Sequence, residues 1–438
     1  MTDINPTPSW ANVRQLETNE YATGGLNGNM NEQAKSLAGQ NMYSRLYAGL
    51  PFDPAFTAQV GGFPIGSRAA LENGDIVRST TVNNTNDPNE NMTGWEIPNN
   101  GIESIADLRG ITPTKAGQRI RLISVNAGQN EGGGDFIATQ KSGLVDNGGT
   151  IFSSPDPLFF WVRINYDYVT PEFFGATPTG DNYYAVQKAI NFYPRGIGEV
   201  RLNRFYDISK GILIPPRLKV MGIGKDSCGF KKTTHDYLEI PDRQWQTHIR
   251  SYNHDYIIAI DIDNDPTGDL SGDQIRSTTL QDFSCICTAP VGFSRFGVYT
   301  FEAYHYVMRN IEFKNVTEGV RAEGWLWTMD NVSVRNCVKG FSFPSGGTTF
   351  QCNNLYVKYA SEVAYELNNV TYSTFTTCCA DFSTLHTFKL KGVNSVAFIG
   401  CGSEESYKWL FHAIDSRFSV TSFRIINNSW GSNIVAAN

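Results

Sequence analysis

NIEFKNVTEGV from Asn310, NVSVRNCVKGF from Asn331, NLYVKYASEVA from Asn354, STFTTCCAD from Ser373, VAFIGCGSEE from Val396 and SFRIINNSW from Ser422 follow one another between Val307 and Asn428. With Ile311, Val332, Leu355, Phe375, Phe398 and Phe423 as equivalent anchors, the spacings are 21, 23, 20, 23 and 25 residues. A period in the low twenties, built of short alternating segments without helical periodicity, predicts a parallel β-solenoid in which each coil buries its apolar face against its neighbours.

The two-residue period of a strand places each anchor and the residue two beyond it on the core face, as in Ile311/Phe313, Val332/Val334 and Leu355/Val357. Four residues past each anchor stand Asn315, Asn336, Tyr359, Cys379, Gly402 and Asn427. Asn and Gly tolerate a left-handed backbone best, so this column reads as a sharp bend that resets the in/out parity. The following column, Val316, Cys337, Ala360, Ala380, Ser403 and Asn428, is then inward, and the one after it, Thr317, Val338, Ser361, Asp381, Glu404 and Ser429, outward. Two carboxylates are thereby expected to stack on adjacent coils of one outer face.

The whole chain fits such a fold. Its 438 residues predict two to four domains, and 13% aromatics, 18% charged residues and 41 glycines suit a turn-rich β protein. A net charge of −7 without a run of Lys or Arg argues against nucleic acid as a partner. No segment approaches the ~20 apolar residues of a membrane span, so no membrane partner is expected. The start MTDINPTPSW lacks the features of a signal peptide, which predicts synthesis in the cytoplasm. All eight cysteines lie from Cys228 onward, mostly at strand positions, and read as small buried thiols. The vicinal pair Cys378–Cys379 has no second pair at metal spacing, so neither metal nor cofactor is expected.

Composition divides the chain at residues 1–48, 49–104, 105–168 and 169–438. The first part holds a helix from Asn29 to Leu46 whose thin apolar side is Met30, Ala34, Leu37 and Ala38. The second is a small β adaptor. The third is a small β module in which Gly132–Gly134 read as a turn between strands, since no Lys-Ser/Thr follows to make a phosphate loop. The fourth begins with a helix that Asp181 can cap, carrying Val186, Ala189, Ile190 and Tyr193 on one face to cover the open end of the solenoid.

The order of FFGA at 173–176, the helix, EVRLN at 199 and LKVMGIG at 218 resembles the entry to the pectate-lyase-like right-handed β-helices of bacteriophage tailspikes. FGVYTFEAYHYVMRNIEFKNVTEGVRAEGW fits as well, as do TTCCAD and IGCGSEE. Upstream, GGLNGNMNEQAK, NNTNDPNENMTGW and LRGITPTKAGQRIRLISVNAGQNEGGGDF are similar to tailspike and tail-fibre N-terminal regions. The resemblance implies an all-β homotrimer on the virion tail, joined to tail or baseplate proteins by its N-terminus. It also implies that the right-handed parallel β-helix binds or cleaves bacterial surface polysaccharide. Such proteins usually continue into a C-terminal trimerising or carbohydrate-binding domain, whereas this sequence ends at Asn438. A shortened, processed or reduced-tip protein is expected on that account.

Asp381 and Glu404 are the catalytic candidates, with Cα atoms expected about 5 Å apart across one strand spacing. Carboxyls at about 5–5.5 Å suit a retaining glycosidase, and Glu405 or Asp330 would offer a wider, inverting separation. Solvated surface carboxylates are the alternative. The alternating pairs Trp325/Trp327 and Tyr407/Trp409 are candidates for stacking on sugar rings, with core or trimer packing as the alternative. A lyase acting on a uronate would draw on His386, Lys408 and His412. The run from Ile260 with Asp261, Asp263, Asp265 and Asp269 reads as a polar loop, because Gly268 is misplaced for a calcium loop and no Glu closes it. The excursion from Lys231 to His254, with His235, Asp236, Trp245 and His248, forms no recognisable constellation. Hydrolytic depolymerisation is the leading expectation, and a non-enzymatic receptor-binding or structural fibre the alternative.

Overall fold

In the computed structural model, Ile311 and Val332 are Cα partners, and Phe313, Val334 and Val357 continue in register as strands pair in parallel from coil to coil. All five side chains are fully buried, as the alternation demands. The structure describes residues 29–72, 74–96, 101–193, 197–235, 255–260, 278–290, 292–300, 303–426 and 435–437. The chain forms two compact units, Met1–Asn165 and Tyr166–Asn438.

In the first unit the helix Asn29–Tyr47 packs through Met42 and Leu46, one turn apart, onto Phe56, Phe63, Val77 and Trp95. This differs from the expected face: Leu37 is exposed, because the apolar contact belongs to the helix's last turns. A three-stranded antiparallel sheet (Arg68–Ala70, Ile76–Ser79, Trp95–Glu96) completes that core. A second antiparallel sheet has the spatial order Arg119–Ser124, Gly132–Thr139, Phe160–Arg163, Ile151–Ser153. Gly132–Gly134 are not a turn; they begin the strand Gly132–Thr139. A Cβ on Gly133 would sit 2.2 Å from the Ile123 carbonyl oxygen. The Arg163 guanidinium donates to the carbonyls of Gly133 (2.6 Å) and Gly132 (2.7 Å). Close backbone approach is what selects glycine here.

The second unit opens with the helix Tyr183–Ile190, whose Val186, Ala189 and Ile190 are buried in the same core as the first coil's Val200, Leu202 and Ile208. Asp181 accepts the Tyr183 N–H (3.0 Å) and the Ser209 N–H (2.9 Å), tying the helix start to that coil. Beyond it, identical positions stack along the solenoid. Phe341, Tyr365, Phe388 and Phe411 form a ring column with successive centroids 5.4, 4.8 and 4.9 Å apart. The eight cysteines are free, and all but Cys379 are buried.

Left-handed residues mark the corners. One row runs Asn310, Asn331 and Asn354, in which the amide of Asn331 donates to Asn310 (3.0 Å) and that of Asn354 to Asn331 (3.2 Å). The other runs Asn315, Asn336, Tyr359, Phe382 and Glu405, all at φ between 50° and 61°. The expected column is therefore correct through Tyr359 and then slips by three residues. Cys379 and Gly402 are not at the bend; Cys379 pairs with Tyr356 and Gly402 with Cys379, three residues ahead of it. The cause is the anchor Phe375, which pairs with Cys352 rather than Leu355. Leu355 lines up instead with Cys378, and both Phe375 and Cys378 are fully buried, so apolar alternation alone accommodates either register. It follows that Ala380 and Ser403 share the Val357 column before the bend, and that Ser383 and Ser406 take the expected inward places after it.

Candidate functional site

The slip leaves one expectation standing and moves its location. Asp381 and Glu404 are Cα partners on adjacent coils, but their strands run before the bend rather than after it. Their column reads Lys314, Arg335, Lys358, Asp381, Glu404. Lys314 and Arg335 both engage the buried Glu312, the latter at 2.7 Å. Lys358 lies 5.1 Å from the ring centre of Tyr359 and 5.5 Å from that of Phe382, and those two rings stack at 5.0 Å. The hydroxyl of Tyr356 donates to Asp381. Burial, followed by the hydrogen bond to Asp381 and that residue's charge, pushes the Tyr356 phenol well above its ordinary value, so it stays a donor. Glu405 occupies the bend itself at φ 50°, outside the column, and Asp330 pairs with Asn353 in another row.

Leu326, with φ 60°, turns the chain between the two tryptophans, so Trp325 and Trp327 do not share a face. Trp325 is 41% exposed and stacks on Tyr304 with centroids 5.1 Å apart and planes 5° from parallel. Trp327 is buried in the core and donates its Nε1–H to the Ala303 carbonyl at 2.9 Å, which removes it as a sugar contact. Tyr407 is exposed, and Trp409 pairs with His386 on the sheet beyond the bend.

That sheet carries a further polar outer face. Glu366 is bound by Lys339 and, at 2.9 Å, by Lys389. Burial would raise its pKa, but the hydrogen bonds and charges of the two ammonium groups bring it below the usual carboxylate range. Glu318 on the same side goes the other way: burial raises it, against Ser342 and the cations Arg321 and Lys339. The rings of His386 and His412 lie 5.0 Å apart. Burial first, then the neighbouring His412, Lys389 and Lys408, lowers His386 to about 4.

Residues 101–166 match the family described as phage tail protein small four-stranded beta-sheet domain. The antiparallel four-stranded sheet at 119–163 is that domain's architecture on this chain. Residues 101–166 are therefore similar to a phage tail β-sheet domain in both sequence and strand arrangement. The chain is 40% identical over 63 residues to the Mu-like prophage FluMu defective tail fiber protein of Haemophilus influenzae, covering 14% of this chain and 10% of that one. The fold is similar to that of the gp42 tailspike of Acinetobacter phage vb_AbaP_AS12, with a TM-score of 0.63 at 21% identity over 74% of this chain and 57% of the tailspike. The chain thus spans little more than half of that tailspike's length and a small part of the tail fibre's. It joins a segment that matches the phage tail β-sheet family to a parallel β-helix whose fold is similar to a tailspike's.

On this tailspike-type helix, the expected site residues fall into three groups. Asp381 and Glu404 sit with Tyr356, Tyr359 and Phe382 on one face. His386, Trp409 and His412 sit beyond the bend, and Trp325 stands with Tyr304 at another corner. Sequence reading missed Tyr356, Glu318 and Glu366. Their signal was the in-register spacing of Arg321, Ser342, Glu366, Lys389 and His412, visible only with the long strands Val307–Arg321, Thr328–Phe343 and Tyr356–Asn368 in view. His235, unassigned from sequence, has Nδ1 2.8 Å from Asp255, which also binds the buried Lys232. Asp236, Trp245, His248, Asp261, Asp263, Asp265 and Asp269 lie outside the described residues. Among the described residues, no group of three His, Cys, Asp or Glu side chains is placed to hold a metal ion.

Proposed function

We propose that this protein is a phage tailspike that attaches to the virion tail through its N-terminal unit and recognises and cleaves bacterial surface polysaccharide with its β-helix. The observation that carries the cleavage reading is the in-register pair Asp381 and Glu404, with Tyr356 on Asp381. One strand spacing separates their backbones, about 4.8 Å, which suits the close carboxyl pair of a retaining glycoside hydrolase. Asp381, oriented by the Tyr356 hydroxyl, attacks the anomeric carbon. Glu404 gives its proton to the departing glycosidic oxygen. Water then takes the anomeric carbon from Asp381, surrendering a proton to Glu404 and restoring both groups.

The Tyr359/Phe382 stack and exposed Tyr407 supply faces for sugar rings beside the pair. A homotrimer, with tail or baseplate proteins as partners of the first unit, accompanies this reading. So does a four-part division into anchor (1–48), adaptor (49–104), small β module (105–168) and capped β-helix (169–438). A second reading, a receptor-binding fibre without catalysis, is favoured by the exposed Trp325/Tyr304 stack, an aromatic surface at a corner apart from the carboxylate pair.

The deciding experiment incubates the protein with capsular and lipopolysaccharide preparations from a bacterial panel, following reducing ends and the ultraviolet absorbance of unsaturated sugars. Hydrolysis is expected to release reducing ends without absorbance, with Asp381→Asn and Glu404→Gln each reducing the rate roughly 100- to 10,000-fold. Absorbance growth would transfer the chemistry to a lyase. A glycan that is bound and never cut would leave the fibre reading.

A further inference from the structure

The outer face beyond the Phe382/Glu405 bend is unexplained by the carboxylate pair. On it, Glu366 is held by two ammonium groups, Lys339 and Lys389, and Lys339 also faces Glu318. Exposed Lys408 lies in the same neighbourhood as the His386 ring. His386 and His412 are half-buried with Nδ1 of each enclosed and without a hydrogen-bond partner. An enclosed nitrogen without a partner is costly, and the remaining edge of each ring is the one a ligand can meet. Trp409, in register with His386 and 6.0 Å from the His412 ring, supplies an aromatic surface beside them.

We infer that His386, Lys389, Trp409 and His412 form a subsite for an acidic sugar, which takes a uronate-type carboxylate against the lysine and imidazole donors while the indole backs the pyranose ring. The charged and titratable groups facing His386 are His412, Lys389, Lys408 and Glu366, cations outnumbering the one carboxylate. A bound carboxylate redresses that balance, and His386 takes up a proton more readily when it arrives. The subsite shares its two coils with Asp381 and Glu404. Five residues of extended chain separate Asp381 from His386, at most about 18 Å, a few sugar units. The inference rests on the β-helix being a glycan-binding surface and names the class of glycan as acidic.

The test labels the histidines of the full chain and follows their titration by NMR with galacturonate, glucuronate or N-acetylneuraminate as the probe and galactose as the neutral control. At least one acidic probe is expected to raise the His386 midpoint by roughly one pH unit, with galactose inert. Trp409→Ala and His412→Gln are each expected to weaken that probe's binding severalfold in a fold judged intact by circular dichroism. Three acidic probes without effect, or an equal effect from galactose, would overturn the subsite. The measurement reads binding and is repeated in Asp381→Asn. A chain that binds an acidic sugar but cleaves no glycan keeps the subsite and loses the hydrolase reading; one that cleaves only neutral glycans does the reverse.

Discussion

In the proposed mechanism, Tyr356 orients Asp381. Its hydroxyl donates to one carboxylate oxygen, fixing the rotamer of a side chain that is otherwise half open to solvent. A hydrogen bond to a charged group contributes about 1.5–3 kcal/mol, so Tyr356→Phe is expected to slow cleavage roughly 10- to 100-fold while leaving glycan affinity nearly unchanged. Steady-state kinetics on a glycan that the panel shows to be cleaved would show it as a fall in kcat at constant KM. His386 offers a second expectation at this scale. Its pKa is about 4 in the folded chain and 6.5 ordinarily, so the unfolded chain binds the proton first as pH falls. Its contribution to stability is complete above pH 6.5 and is lost progressively down to about pH 4, where it levels off. Urea midpoints across that window are expected to decline with acidification, and less steeply in His386→Gln.

At the scale of the element, each coil is defined by its corners. Asn331 combines φ 53° with an amide that donates to Asn310 and an oxygen that accepts from Asn354. Asn331→Ala loses two hydrogen bonds of ~1 kcal/mol each. It also forces Ala into a left-handed conformation at about 1–2 kcal/mol. Asn331→Gly keeps the backbone freedom and loses only the bonds. Urea denaturation is expected to rank wild type above Gly and Gly above Ala. The same corner logic shows why the fold was legible and the register only partly so. Asn315 and Asn336 announce their bend, because few residue types accept it. Phe382 and Glu405 occupy the same bend without announcing it, held there by coils already in register. Packing overrode local propensity, and a buried Cys378 carries less sequence signal than the larger Phe375 nearby. The pairing of Asp381 with Glu404 survived because both residues slipped together. Trp327 was misread because Leu326 turns a corner that no Gly or Asn marks.

At the scale of the molecule, each unit owns its core. Met42, Leu46, Phe56, Phe63, Val77 and Trp95 enclose one, Leu108, Leu122, Phe136, Phe152 and Trp161 a second, both within Met1–Asn165. The solenoid core runs from Val169 through Ala413 and is closed at its start by the helix Tyr183–Ile190 of its own unit. A solenoid's stability is a sum over neighbouring coils, and its ends need covers; here the first coil's cover travels with the second unit. A chain beginning at Tyr166 is therefore expected to fold with the full-length unfolding midpoint for its β signal and to keep the full chain's cleavage rate on free polysaccharide. On the proposed function, what it loses is attachment. Removing the phage tail β-sheet domain is expected to abolish incorporation into virions, measured by immunoblot of purified particles, while soluble activity persists. Gly133→Ala separates the two properties within the full chain. Its added Cβ collides with the Ile123 carbonyl and is expected to unfold the small sheet while the solenoid keeps its own core. If soluble cleavage fell along with attachment in both variants, the division of labour between the units would be wrong.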